Sequence, residues 1–586
     1  MYSEKSKTPW GAIIVVAAVL IFGCIIAGVL LARNFFSGGQ IGGSVPGAPE
    51  PVPAGAVAVD IASSNTKENG LDTLGAQFNA EERTISTGET IFVRVSHVTS
   101  GGSQRNILDG KIQPTVWSPG DSSWVAGANE VWRDRTGRPL VPEACPATVL
   151  APTGFAMWRP MAEALGWPDT PISWDDIVAL SANPDGWASL GHPEWGQFKF
   201  GHTHPAFSNV GLQIMTALVY STVGTTTGLT LDQTYSDEVL EAFARVELNT
   251  YHYGKQNKTL INLMALRGPN YLHAINSSEA AVLKVNAEQG ADLRFPLAFI
   301  FPAEGTFWSE HPYCILDTDW VSEQQTEAAE IFRDYLLDPA QQALAIDNFL
   351  RPREQNIPLH APLSLKDGTD PRVTTGVVPA LESPSAEVAE AVKDVFFQTK
   401  KKATVVLVLD ISGSMEGDKI KQAVESSVNF IERLDPKDEV YVLTFGGEVI
   451  QLSQGGLTGE VGEDLARTLR GLFSKGNTPL YDAVCEANML VDELKTEDEA
   501  ANEHRLYGIV LLSDGDDTSS GRTQNQMFRC MPSGEDVEGT KIFTIAYGEN
   551  ADADLMLRIA NRTNGKSFTG APETIDTIYI AISAEQ

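Results

Sequence analysis

Residues 404–414 read TVVLVLDISGS. Six apolar or β-branched residues in unbroken succession do not alternate, so the segment reads as a strand covered on both faces, as in a parallel sheet layered between helices. It ends in Asp410-Ile-Ser412-Gly-Ser414, which sets three oxygen-bearing side chains on one tight loop. Runs of the same texture recur at 439–445 (EVYVLTF), 506–513 (LYGIVLLS) and 541–547 (KIFTIAY), with amphipathic stretches between them such as DKIKQAVESSVNFIERL at 418–434. The spacing predicts a doubly wound α/β domain with a mostly parallel sheet. In such folds binding sites form at the carboxyl ends of the strands.

Two further segments fall at the places this fold provides. Gly476-Asn-Thr478-Pro-Leu-Tyr-Asp482 puts a threonine ahead of a helix, and Leu511-Leu-Ser513-Asp514-Gly515 puts an aspartate at another strand's end. In order and spacing, the three motifs resemble the von Willebrand factor type A domain and its metal-ion-dependent adhesion site, over about 404–584. The resemblance implies that Ser412, Ser414 and Thr478 ligate a cation through hydroxyls, with Asp410 and Asp514 holding it directly or through water. Hard oxygen donors select Mg²⁺ or a similar cation, Mn²⁺ or Ca²⁺ among them, and Mg²⁺ keeps several waters. An open coordination position would take a carboxylate from a partner protein. Alone, D-x-S-x-S would be a capped helix start; Thr478 and Asp514 tilt the reading to a metal. An EF-hand loop starting at Asp514 is excluded, because its sixth position is Ser519 where glycine is required.

Residues 56–382 have the length of two lobes. Val57–Ile61 reads as a strand ending at Ser63-Ser64-Asn65-Thr66 before a helical pattern at 70–79. Residues 91–98 read as another, ending at Thr99-Ser100-Gly101-Gly102 before a helix. Small polar loops at helix starts offer free N–H groups to an anionic or polar solute. Gly201-His-Thr203-His-Pro-Ala-Phe-Ser208-Asn209-Val-Gly211 precedes an apolar helix in the same way. With Phe301-Pro-Ala-Glu-Gly305-Thr-Phe-Trp and the stretches that follow, these loops resemble bilobal extracellular solute-binding proteins of the periplasmic type. The resemblance implies a cleft with Ser63, Ser64, Thr66, Ser100, Gly101, Gly102, Ser118, Thr203, Ser208 and Asn209 as candidate ligand-binding residues, and a small-molecule solute of unspecified class. Eight of the 11 Trp fall between Trp117 and Trp195, as packing residues or as platforms for sugars. His202 and His204 share a face of an extended segment but have no third metal ligand nearby.

The chain has 586 residues, and 43 Lys+Arg against 76 Asp+Glu give a formal charge of −33 and a pI near 4.6. That charge excludes general nucleic-acid binding, and the length implies more than one domain. Trp10–Ala32 is almost wholly apolar; about 23 residues at about 1.5 Å each match a hydrocarbon core of about 30 Å. A single-pass anchor, residues 1–9 cytoplasmic and the bulk extracytoplasmic, is the expectation from Lys5 and Lys7. Ile21-Phe-Gly-Cys24 also looks like an imperfect bacterial lipobox, so a lipoprotein at Cys24 is the alternative. Residues 37–55 are a Gly/Pro-rich stalk. Residues 383–399 read as a helix, placing a linker helix at 383–402 and the final domain at 403–586. The four remaining cysteines form no CxxC pair; Cys145 with Cys314 and Cys485 with Cys530 is one arrangement, buried free thiols the other.

No G-x-S-x-G elbow, H-E-x-x-H helix or Walker loop occurs, so the expectation is a binding protein and not an enzyme. It joins solute recognition to cation-dependent protein binding. The alternative is the solute receptor of an ABC-type transport system, with the C-terminal domain as a docking module.

Overall fold

The computed structural model describes residues 51–586, apart from 143–144, 355, 502, 504, 533–538, 549–550, 572–573, 576–577, 580–581 and 583–586. The expected cytoplasmic tail, anchor and Cys24, with nearly all of the stalk, lie outside the described residues. Among the described residues no helix is long and apolar enough to cross a membrane.

The first lobe is a four-stranded sheet in the order Cys314–Ile315, Val116–Ser118, Val57–Ser63, Ile91–His97. The last three run parallel, and Cys314–Ile315 returns antiparallel from far along the chain. Its core is completed by the equally distant helix Glu323–Leu337, whose Phe332 and Tyr335 meet Phe78 edge-on at 4.9 and 5.1 Å. Cys145 and Cys314 are bridged. The second lobe is a five-stranded mixed sheet in the order Thr250–Gly254, Phe200–Thr203, Ala274–Ser278, Thr153–Trp158, Leu297–Ile300. Against it lies helix Asn209–Val223, buried from Val210 to Tyr220.

The helix predicted at 383–399 spans Ala386–Thr399 and is capped by the Ser385 hydroxyl, which accepts from Val388 N. It is more than a connector. Val388, Val392, Val395 and Phe396 are buried in the second lobe's core, and Phe396 meets His202, His204 and Tyr253 edge-on at 5.6, 4.9 and 5.8 Å. Its apolar spacing announced the helix but not the surface that covers it. The tryptophans serve packing: Trp117, Trp158, Trp174 and Trp187 are fully buried.

The C-terminal sheet has the order Val449–Gln451, Glu439–Phe445, Lys402–Asp410, Arg505–Ser513, Lys541–Tyr547, Ser567–Gly570. It is parallel except for Val449–Gln451 and for Gly456–Leu457, which pair antiparallel with Glu439–Phe445. Val405, Leu407 and Leu409 pack on one face with Val424, Val428 and Phe430. Val406 and Val408 pack on the other with Leu480, Val484 and Ile559. The four strands expected from apolar runs are present; Ser567–Gly570 is additional, and its half-exposed polar residues carry no such signal. Cys485 and Cys530 are bridged.

Both parts meet through the starting ends of this sheet. Lys541 Nζ, at the first residue of its strand, donates to Tyr251 O at 2.8 Å and lies 2.9 Å from His252 Nδ1. Lys401 N donates to Tyr253 Oη at 3.3 Å. Lys400, just past helix Ala386–Thr399, pairs with Asp438 at 3.3 Å.

Truncating the fully buried Phe396 to Ala should destabilise the second lobe by about 3–5 kcal/mol, read by urea unfolding. Phe397→Ala, at a residue 40% exposed, should cost under half as much; equal losses would mean that the helix is not part of the core.

Candidate functional site

Two polar sites stand at opposite ends of these elements. The first is the cleft between the lobes, a cavity of about 260 Å³. Helix starts converge on it from both sides. Thr99 and Ser100 open the helix Ser100–Leu108, and Ser64–Thr66 precede Glu68–Ala80. From the second lobe come Ser208 and Asn209, Gln256 and Asn257, and Ser278. Sequence and geometry agree there for one reason, since strand-to-helix turns leave N–H groups unpaired within the helix. The lobes touch across the opening: Lys258 Nζ lies 2.9 Å from Glu68 and Lys284 Nζ donates to Asn69 Oδ1 at 3.1 Å. Trp124 Nε1 donates to Asn209 Oδ1 at 2.5 Å.

Of the expected solute residues, Ser64, Thr66, Ser100, Ser208 and Asn209 line this cavity. The other five do not, and each is otherwise occupied. Ser63 is buried and donates to Ser64 O, and Gly101 is covered by the Trp124 ring. Gly102 N is taken by the Thr99 cap, and Ser118 accepts from Lys67 and donates to Pro312 O. Thr203 Oγ1 donates to Ser208 Oγ at 3.0 Å and accepts from Asn276. Lys258, Lys284, Ser309 and His311, which also line the cavity, went unread because they arrive from distant segments without a local motif. No Trp lines the cavity among the described residues, so the sugar-platform alternative has no support there.

The second site lies at the finishing ends of the C-terminal strands. Ser412 N and Ser513 Oγ donate to the two oxygens of Asp410 at 2.8 and 2.6 Å. Ser412 Oγ and Ser414 Oγ are 3.0 Å apart, and Ser414 Oγ donates to Asp514 Oδ1 at 2.6 Å. Lys419 Nζ reaches Asp514 Oδ2 at 2.5 Å. Burial pushes the Asp410 carboxyl up, opposed by its bonds to Ser412 and Ser513. The Thr478 loop is brought alongside: Gly413 N donates to Gly476 O at 3.0 Å, and Thr478 is tied through its backbone to Thr518. Four of the five expected metal residues are thus joined by direct hydrogen bonds or through Ser513, and Thr478 sits on the adjoining loop, its hydroxyl not bonded to them among the described residues. The donors fit a hard cation, being two carboxylates and serine hydroxyls on converging loops, with the Lys419 ammonium now occupying a cation's place on Asp514. Lys419 carries no sequence signal of its own; it stands in the first turn of the helix Asp418–Ile431 that follows the motif.

Residues 59–351, half of the chain, match the bacterial extracellular solute-binding protein family, and residues 404–578 match the von Willebrand factor type A domain. The chain belongs to the solute-binding family and carries a C-terminal type A domain. The chain is 34% identical over 117 residues to human inter-alpha-trypsin inhibitor heavy chain H4, covering 20% of this chain and 12% of that one. Human heavy chain H1 is 23% identical over 177 residues, 29% of this chain and 19% of that one. The chain therefore spans under a fifth of these relatives' length. Among solved structures, a periplasmic thiamin binding protein aligns with 60% of this chain and 99% of its own at 14% identity and a TM-score of 0.42. A von Willebrand factor type A protein from Catenulispora acidiphila aligns with 32% and 43% at 18% identity and a TM-score of 0.28.

In the solute-binding module His202 and His204 do not form a metal pair. His202 Nε2 lies 2.9 Å from Glu247, which also accepts from Tyr253 Oη at 2.5 Å. His204 sits among Phe207, Phe396 and Phe397. Burial, then the Lys400 ammonium, lowers His204 to about 3, and burial, then Lys199, lowers His273 to about 3. An unfolded histidine near 6.5 binds the proton that these folded ones refuse, so stability falls as pH drops from about 6.5 towards 3. From pH 7 to pH 5 each should remove about 2 kcal/mol. His204→Phe should flatten the dependence by that amount in urea unfolding at the two pH values; an unchanged slope would contradict the assignment.

Proposed function

We propose that the chain is an extracytoplasmic binding protein, held at the cell membrane by residues 10–32, that captures a small solute between its lobes. At the cluster of Ser412, Ser414 and Asp514 it engages a protein partner in a divalent-cation-dependent way. The observation that carries the second half is the hydrogen-bonded assembly of these residues with Asp410 at converging strand ends. Ser412, Ser414 and Asp514 would hold the ion, with Thr478 beside them and Asp410 fixing the Ser412 backbone. When bound, Mg²⁺ or a similar cation supplies an acceptor for an acidic side chain of the partner. The chain's own task is positional. Ser513 and the Ser412 amide hold Asp410 rigid, and Lys419 neutralises Asp514 until it is displaced. Both modules belong to binding families, and we read the chain as a binder without catalytic function.

A cation that binds only the folded state stabilises it by about 2.7 kcal/mol at 100 times its Kd. Mg²⁺ should therefore raise the midpoint of the type A domain's thermal unfolding. The Ser412→Ala/Ser414→Ala double variant should lose the shift. Lys419→Met should retain it at lower Mg²⁺, since a competing ammonium is gone. A shift undiminished in the double variant would show the ion binding elsewhere.

A further inference from the structure

The solute cleft has a charge imbalance in its floor. At the rim, Lys258 and Lys284 are balanced by Glu68 and Glu288, at 2.9 and 3.9 Å. Behind the wall stands Lys67, buried, whose ammonium makes three contacts: Ser118 O at 2.9 Å, Ser118 Oγ at 3.0 Å and His311 Nδ1 at 3.2 Å. Ser118 Oγ spends its own proton on Pro312 O, so it accepts from Lys67. Three ammonium protons meet three acceptors, and among the described residues no carboxylate pairs with Lys67. Burial without a counter-charge lowers Lys67 well below the ordinary lysine value.

The consequence passes to His311, which forms part of the cavity wall and is 2% exposed. Nδ1 also lies 3.1 Å from Ser64 Oγ, a hydroxyl that can donate or accept; an ammonium has no lone pair, so with Lys67 donating, Nδ1 accepts and the neutral ring carries its proton on Nε2. Burial first, then Lys67, keeps the ring neutral, with the Pro119 carbonyl opposing. Apart from the Pro119 carbonyl acting on the ring, Nε2 has no hydrogen-bond partner among the described residues. A buried donor left unmatched is costly, and one in a binding cleft points to an absent acceptor. His311 is also held at a φ of 46°, a left-handed backbone unusual for its type. Around it, helix starts at Thr99–Ser100, Ser208–Asn209, Gln256–Asn257 and Ser278 turn their positive ends to the same cavity.

We infer that the solute carries an anionic oxygen group, a carboxylate, phosphate or sulfate, that accepts from His311 Nε2 and supplies the counter-charge of Lys67. His311 is the contact residue and Lys67 the positioning residue that fixes its tautomer. This rests on the reading of the cleft as a solute site and gives that site its ligand class.

The test is thermal unfolding and titration calorimetry of the full chain with inorganic phosphate, sulfate, a sugar phosphate and a dicarboxylate, beside uncharged glucose and cationic choline. At least one anion should bind and raise the solute-binding module's midpoint. Its affinity should fall at least tenfold in Lys67→Met, while the ligand-free midpoint holds or rises because a buried charge is gone. His311→Asn, which tolerates the left-handed backbone, should weaken it comparably. Sulfate and phosphate also stabilise by exclusion from protein surfaces, an effect both variants keep. Which anion binds separates an inorganic ion from a phosphorylated or carboxylated metabolite. Glucose or choline bound equally by wild type and Lys67→Met would overturn the anion while leaving solute capture standing; no binding by any probe would sink both.

Discussion

A parallel strand has two unlike ends, and the placement of every feature in the C-terminal part follows from that polarity. Helices return each strand to the same starting edge, so Lys402, Arg505 and Lys541 begin together and Asp410 and Ser513 finish together. The starting edge is docked on the second lobe through Lys541 and Lys401. Nine residues at about 3.3 Å carry the chain about 30 Å to the other edge, where the hydroxyls and carboxylates collect. Docking one edge leaves the other free for a partner.

The second lobe repeats the logic. Strand Thr250–Gly254 begins beside Lys541, which contacts Tyr251 and His252, and is followed by Gln256 and Asn257 at the solute cleft. A single short strand therefore links the contact between modules to the wall of the cleft. Helix Ala386–Thr399 belongs to the same assembly: Phe396 reaches His202 and His204 beneath the cleft loop, and Lys400 beyond its end pairs with Asp438 just ahead of a C-terminal strand. What the sequence suggests as a tether is a packed joint.

The C-terminal strands were legible because a strand buried on both faces must be apolar throughout, and Asp410, Ser412, Ser414 and Asp514 because they end or directly follow those strands; Thr478 was legible instead from its place just ahead of a helix. The polar turns at Ser64, Ser100 and Ser208 were legible for the same local reason. Lys258 and His311 were not, since a charge on a helix and a histidine in a loop look alike wherever they fold. The tryptophan cluster was ambiguous in sequence, and burial resolves it for packing. Ser63, Gly101, Gly102, Ser118 and Thr203 share the right turns, but their polar groups are spent internally or their surface is covered.

The most direct measurement of the cation-site account is a crystal structure of the full chain grown with Mn²⁺, with anomalous scattering recorded to locate the ion. The account predicts a peak bounded by the Ser412 and Ser414 hydroxyls, with Lys419 withdrawn from Asp514. Lys419 still paired with Asp514 and no manganese at these side chains would contradict it.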